Sequence, residues 1–99
     1  MIQILVLLEV KDKSASKAYE TKAIQVMKKY GGKLLAAFEP DVNESSKNNI
    51  GEIHYLEFPS IDSFKNYRTD LEVLRMKELR EKAILSTTVY VSGKQITYD

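Results

Sequence analysis

One histidine stands out among the side chains that could do chemistry. His54 is the only histidine, and it lies in the middle of residues 52–58, whose alternating pattern predicts a strand. Because histidine changes charge near neutral pH, His54 is the best candidate for a general base. It is in register with Phe58, which is expected to face the core, so His54 should face a cleft between sheet and helices. The simpler interpretation is a strand histidine that hydrogen-bonds to a neighbour.

Arginine and tyrosine side chains could complete such a site. Arg80 lies in the last predicted helix, and a guanidinium suits bidentate binding of a carboxylate. It could anchor an anionic ligand or, more simply, form a structural ion pair with Glu39 or Glu57. Tyr67 or Tyr55 could donate a hydrogen bond to a ligand, although packing in the core is the simpler explanation for most aromatic residues. Glu57 and Glu39 are the two further candidates for ligand binding.

The composition excludes several other classes of function. The chain has 99 residues, 15 basic and 14 acidic side chains, a net charge of +1 and no cysteine. One histidine and no cluster of acids at ligand spacing predict no metal site, and no motif for a phosphate-bearing cofactor occurs, so no cofactor is expected. The balanced charge argues against nucleic acid or a membrane surface as a partner.

The length and the first segment indicate one compact domain, residues 1–99. The apolar run at residues 2–8 is far shorter than the ~20 residues of a membrane helix. It also lacks the basic start and the cleavage site of a signal peptide, so we expect a cytoplasmic protein.

Hydrophobic periodicity and turn residues predict an alternation of strands and helices. The predicted elements are strand 2–10, helix 16–30, strand 34–39, a solvated and mobile loop 41–49, strand 52–58, a short helix from 61 with a bend near Thr69, a longer helix 70–85, strand 87–92 and a short extension at Ile96 and Tyr98. The order βαββαβ predicts an α+β, ferredoxin-like fold: a four-stranded antiparallel sheet with helices on one face.

The first strand indicates that both faces of the sheet are covered. The helices can cover one of its sides, but Leu5 and Leu7 point to the other side, and no further segment remains to cover them. We therefore expect a homodimer that packs sheet to sheet. Glu9 and Glu57 lie on the same face and are expected to form a polar rim of the interface, or to meet residues of the partner.

The same element order also occurs in RNA-recognition modules, which stack bases on aromatic residues of the first and third strands. Here the first strand has no aromatic residue, and the net charge is close to zero. The sequence therefore argues against this alternative.

Several motifs resemble those of the domain of unknown function 1330 family, within the dimeric α/β-barrel superfamily. Residues 30–33 read Tyr-Gly-Gly-Lys, similar to the family's Tyr-Gly-Gly-Arg, and residues 57–60 read Glu-Phe-Pro-Ser, as at its strand end. Tyr67 stands where the family usually has Trp, and Glu72 and Leu79-Arg80 match further positions. The resemblance extends from residue 2 to about residue 91.

The sequence also departs from the family pattern. Residues 36–38 read Ala-Ala-Phe where the family often has Arg-Gly-Gly, and Val73 stands where it tends to have Tyr. A nearby acid of the family corresponds to either Glu39 or Glu44. These differences fall on positions that could line a shared polar pocket.

The resemblance implies a homodimer whose two sheets form a barrel, and superfamily members include cofactor-free oxygenases, isomerases, haem-handling enzymes and ligand-binding subunits. We therefore predict a homodimeric protein that binds a small organic ligand between sheet and helices. One alternative is a cofactor-free oxygenase or isomerase that acts on an enolisable or aromatic substrate. The other is a structural or interaction protein without a ligand. The fold does not choose among these functions.

Overall fold

The computed structural model describes residues 1–41 and 49–98, which form an α+β sandwich of two layers. The elements are β1 (Ile2–Val10), α1 (Lys13–Lys28), β2 (Lys33–Phe38), β3 (Glu52–Phe58), α2 (Ile61–Arg68), α3 (Leu71–Leu74), α4 (Lys77–Ala83) and β4 (Ile84–Val91). The strands form one antiparallel sheet in the order β2-β3-β1-β4. This is the predicted ferredoxin-like arrangement.

The register of β1 and β3 determines which residues face the helices. Val6 is opposite His54, and Leu5 is opposite Tyr55. Because side chains alternate along a strand, Val6 and His54 share the helix-covered face, whereas Leu5 and Tyr55 share the other face. Val6 and His54 are buried, while 39% of Tyr55 is exposed.

Helix α1 has a defined start and end. The Asp12 side chain accepts a hydrogen bond of 2.9 Å from the backbone nitrogen of Ala15, so the helix begins three residues before the predicted residue 16. After its last turn, Gly31 has φ +73°, a left-handed conformation that glycine adopts without a Cβ clash. The helix therefore ends close to the predicted residue 30.

The chain between β3 and β4 is divided into three helices. Ser60 caps α2 and Asp70 caps α3, each accepting a hydrogen bond from a backbone nitrogen. The prediction of a single helix 70–85 is wrong: α3 ends at Leu74 and α4 begins at Lys77. Strand β4 then starts at Ile84, directly after α4 and earlier than predicted.

An aromatic cluster joins the sheet to α2. The Phe58 ring lies 5.2 Å from that of Phe64 and 5.5 Å from that of Tyr67, measured between centroids. Phe58 is fully buried on the helix-covered face of β3. The cluster fixes α2 against the sheet and thereby holds Tyr67 in place.

The second face of the sheet, which we call the open face, bears no helix of the described part of the chain. It presents Leu5, Leu7, Phe38, Tyr55 and Tyr90, of which Phe38 and Tyr90 are more than half exposed. An apolar face of this kind usually marks an interaction surface.

Two further expectations concern loops and ends. Most of the predicted loop 41–49 lies outside the described residues. Ile96 and Tyr98 form no strand and are exposed. Among the described residues, no helix has both the length and the apolar character needed to cross a membrane.

Candidate functional site

A cavity of about 360 Å³ lies between the helix-covered face of the sheet and the helices. Most of its wall is apolar, with side chains from both layers, including Val6, Leu56, Val89, Ile24, Met27 and Phe64. Its polar lining comes from Tyr19, Glu20, His54, Tyr67, Arg68, Lys77, Arg80 and Thr87. A mostly apolar cavity with a few convergent polar groups is typical of a small-molecule site.

His54 lies in the cavity wall, on the side of the sheet that the sequence predicts. Its side chain is only 6% exposed. Its Nε2 atom lies 2.9 Å from Oε1 of Glu52, and its Nδ1 atom lies 3.8 Å from Oε2 of Glu20. The imidazole is therefore placed between two carboxyl groups, one hydrogen-bonded and one slightly beyond hydrogen-bond distance.

Glu52 orients His54 through the hydrogen bond to its Nε2 atom. It lies two residues before His54 in β3, so both side chains point to the same side. The fully buried Ser16 of α1 donates a hydrogen bond of 3.3 Å to its Oε2 atom. Because a carboxylate only accepts hydrogen bonds, Glu52 keeps the hydrogen of His54 on Nε2.

Glu20 is a cavity residue that the sequence pattern did not reveal. It lies on α1 and its side chain is 17% exposed. Burial raises the pKa of this carboxyl group, and the neighbouring Glu52 raises it further, while His54 and Arg80 oppose the rise. Glu20 is one of several charged residues in the predicted helix 16–30, and nothing in its type or position distinguishes it from a solvated charge. Ile24, one turn later on the same helix, also lines the cavity.

Arg80 lines the cavity and donates a hydrogen bond of 2.8 Å from Nη2 to Oγ1 of Thr87. The expected ion pair with Glu39 or Glu57 is not formed, because Arg80 lies at the cavity while Glu57 lies on the open face and Glu39 pairs with Lys13. Within the described residues, Arg80 has no ion pair with a carboxylate.

Two tyrosines face the cavity from the helices. Burial raises the pKa of Tyr67 and of Tyr19. The Glu20 carboxylate raises the pKa of Tyr19 further, whereas a hydrogen bond with Arg80 lowers it. Both phenols therefore stay protonated at neutral pH and can donate hydrogen bonds into the cavity.

Three residues predicted to bind a ligand do not line this cavity. Tyr55 and Glu57 point to the open face, where Oε2 of Glu57 accepts a hydrogen bond of 3.2 Å from Gln3. Glu39 lies at the end of β2 and pairs with Lys13 at 3.6 Å, with both side chains largely exposed. The structure thus brings together His54, Arg80 and Tyr67, and leaves these three elsewhere.

No group of three or more histidine, cysteine, aspartate or glutamate side chains in ranges 1–41 and 49–98 is arranged to hold a metal ion.

Comparisons with known proteins agree with the motifs and the fold. The model of the family described as domain of unknown function, DUF1330, matches residues 3–94. No curated protein matches the chain. Since the family model covers most of the chain, the resemblance of the motifs is confirmed.

Solved structures of low sequence identity share the fold. A protein of unknown function from Rhodopseudomonas palustris aligns with a TM-score of 0.77 at 16% identity, over 97% of this chain and 83% of its own. A dabb family protein with a ferredoxin-like fold from Mesorhizobium loti gives 0.68 at 13%, over 95% and 96%. A dimeric protein of unknown function with a ferredoxin-like fold from Bacteroides fragilis gives 0.56 at 13%, over 92% and 93%.

Proposed function

Because the chain belongs to the DUF1330 family, whose description assigns no activity, we propose a function from the site itself: the protein binds a small organic molecule in the cavity between sheet and helices. The observation that carries this proposal is the cavity of about 360 Å³, which is within the range of known ligand pockets. A protein with a purely structural role would fill this space with side chains.

The polar groups of the cavity support a particular orientation for the ligand. Arg80 carries a positive charge without a carboxylate partner among the described residues, and it would hold an anionic group of the ligand. The apolar body would pack against Met27, Phe64 and the sheet. Tyr67 would donate a hydrogen bond to the ligand.

A cavity-filling variant tests the proposal. Val89 lines the cavity from β4, so Val89→Phe should remove much of the space. Ligands found for the wild-type protein by a thermal-shift screen of aromatic and short-chain acids should bind the variant at least tenfold more weakly. Leu85→Phe is the matched control, because Leu85 lies on the same strand, is 64% exposed and does not line the cavity. Equal binding by both variants would exclude this site.

The second candidate function is proton transfer on an enolisable or aromatic substrate, as in a cofactor-free isomerase or oxygenase. The observation that favours it is the buried His54, held by Glu52 and facing the cavity. A histidine with one nitrogen fixed and the other directed at a ligand is suited to general-base chemistry. His54→Gln should then abolish turnover while the variant stays folded; unchanged turnover would exclude the role.

We further propose that two copies of the chain pack through their open faces as a homodimer. The supporting observations are the exposed apolar side chains of this face and the description of the Bacteroides fragilis structure as dimeric. The cavity lies on the opposite side of the sheet, so each protomer keeps its own site.

A further inference from the structure

We propose that the cavity selects ligands carrying a weakly acidic hydroxyl group, a phenol or an enol, which binds between Glu20 and His54. This inference rests on the proposed function and specifies the ligand class of the same site. The juxtaposition that carries it is the separation of 3.8 Å between Oε2 of Glu20 and Nδ1 of His54, two polar atoms in one cavity wall.

This separation is too long for a direct hydrogen bond and suits a bridging oxygen atom. A hydrogen bond to oxygen is about 2.8 Å long, so an atom beside the gap can reach both groups at once. Both Glu20 and His54 line the cavity, so the two atoms border the space that a ligand would occupy.

The protonation of the two groups favours a hydroxyl over other oxygen groups. Oε1 of Glu52 lies 2.9 Å from Nε2 of His54, and because a carboxylate only accepts hydrogen bonds, this contact favours the hydrogen of a neutral imidazole on Nε2. Nδ1 of His54 and the Glu20 carboxyl group can each accept a hydrogen bond, and a hydrogen on either one adds a donor. A hydroxyl group both donates and accepts, so it satisfies both partners. An ether oxygen only accepts, and it would leave one buried partner unpaired.

The surrounding groups are consistent with a proton held by Glu20 or by Nδ1 of His54. Glu20 faces Tyr19, Tyr67 and Arg80 from the helices as well as His54 and Glu52 from the sheet. Burial raises the pKa of the Glu20 carboxyl group, which favours retention of a proton near this position. Arg80 remains available for an anionic group elsewhere on the same ligand.

Matched pairs of compounds test the proposal on the wild-type protein. Isothermal calorimetry would compare 2-naphthol with 2-methoxynaphthalene, and 4-hydroxybenzoate with 4-methoxybenzoate. Each hydroxyl compound should bind at least tenfold more tightly than its methyl ether, because the ether leaves a buried polar group unsatisfied. The naphthalene pair carries no anionic group, so its result does not depend on Arg80.

Substitution of the bridging residue provides the second measurement. Glu20→Met keeps the length of the side chain and removes its carboxyl oxygens, so the hydroxyl preference should fall to what His54 alone provides while the ethers still bind. An unchanged preference would contradict the bridging arrangement. Glu78→Met is the matched control, because Glu78 is exposed on α4 and lies outside the cavity lining. Melting curves would verify that both variants are folded.

The outcomes separate this proposal from the proposed function. Equal affinity for hydroxyl and ether in the wild-type protein would overturn the hydroxyl proposal and leave ligand binding intact. If none of the four compounds binds while the thermal-shift screen finds other ligands, the hydroxyl proposal alone is overturned. If the screen finds no ligand either, both the hydroxyl proposal and the proposed ligand-binding function are overturned.

Discussion

His54 and Glu52 are hydrogen-bonded within a single strand, with Nε2 of His54 2.9 Å from Oε1 of Glu52. Neighbours at i and i+2 in a strand lie on one face, so β3 itself supplies both the histidine and the group that orients it. Ser16, from α1, donates to the same carboxylate and ties the strand to the helix. The orientation of His54 is therefore a property of the fold rather than of a flexible loop.

Removal of the Glu52 carboxylate should destabilise the protein. In Glu52→Ala, Nε2 of His54 and the hydroxyl of Ser16 lose their acceptor while the helix and sheet still bury them. We expect a loss of about 1–2 kcal/mol in the free energy of unfolding, measured with urea. Glu57→Ala removes a carboxylate that accepts from Gln3 on the open face and should have a smaller effect. Equal losses would contradict the assigned role of Glu52.

The titration of Glu20 should make stability depend on pH. Burial raises its pKa in the folded state above the ordinary value of 4.5. The folded state then holds the proton more tightly than the unfolded state, so this contribution to stability is complete below pH 4.5 and is lost as pH rises through the folded-state pKa. Glu20→Met should show a weaker fall in stability over that range. Urea unfolding at a series of pH values measures the free energy of unfolding of both proteins. If it changes with pH equally in the two, the role assigned to Glu20 is wrong.

Close packing of core side chains around position 32 requires a glycine there. A Cβ atom there would lie 2.6 Å from Cζ of Phe58 and would also clash with the Met27 side chain. We expect Gly32→Ala to destabilise the protein by about 1–3 kcal/mol, since overpacking forces core side chains to move. Gly93→Ala is the control, because nothing lies within 4 Å of its added atom. Thermal unfolding compares the two, and an unchanged melting temperature for Gly32→Ala would contradict the packing.

A charge on the open face should disrupt the proposed homodimer. Leu7 lies on this face in the central strand β1, so Leu7→Glu would bury a carboxylate in the interface. Light scattering at micromolar concentration should give the mass of two chains for the wild-type protein and of one chain for the variant. Leu71→Glu, on a helix and 64% exposed in the wild type, should remain dimeric. A monomeric wild-type protein would exclude the interface.

The features that could be predicted best are those determined by residues close together in the sequence. The bounds of β3 agree with its prediction, because Pro59 cannot donate to a sheet and ends the strand. Ser60 and Asp70 cap helices for a reason visible in the sequence: their short side chains can accept from the next backbone nitrogens.

Features that depend on tertiary packing could not be predicted from the sequence. The break between α3 and α4 contains Arg75 and Met76, both of which are good helix formers, so no local signal marks it. In the sequence, Glu20 cannot be distinguished from an ordinary solvated helix charge, because the hydrophobic periodicity of α1 does not reveal that the helix borders a cavity. The carboxylates around His54 became visible only when α1 was placed on the sheet.

Strand β3 places His54 in the cavity and the next residue, Tyr55, on the open face. A single inserted residue before His54 would exchange these sides and disrupt both surfaces at once. Substitutions behave differently, because each changes one side only. A substitution in this strand can therefore change the cavity or the open face alone, whereas a shift of register changes both together.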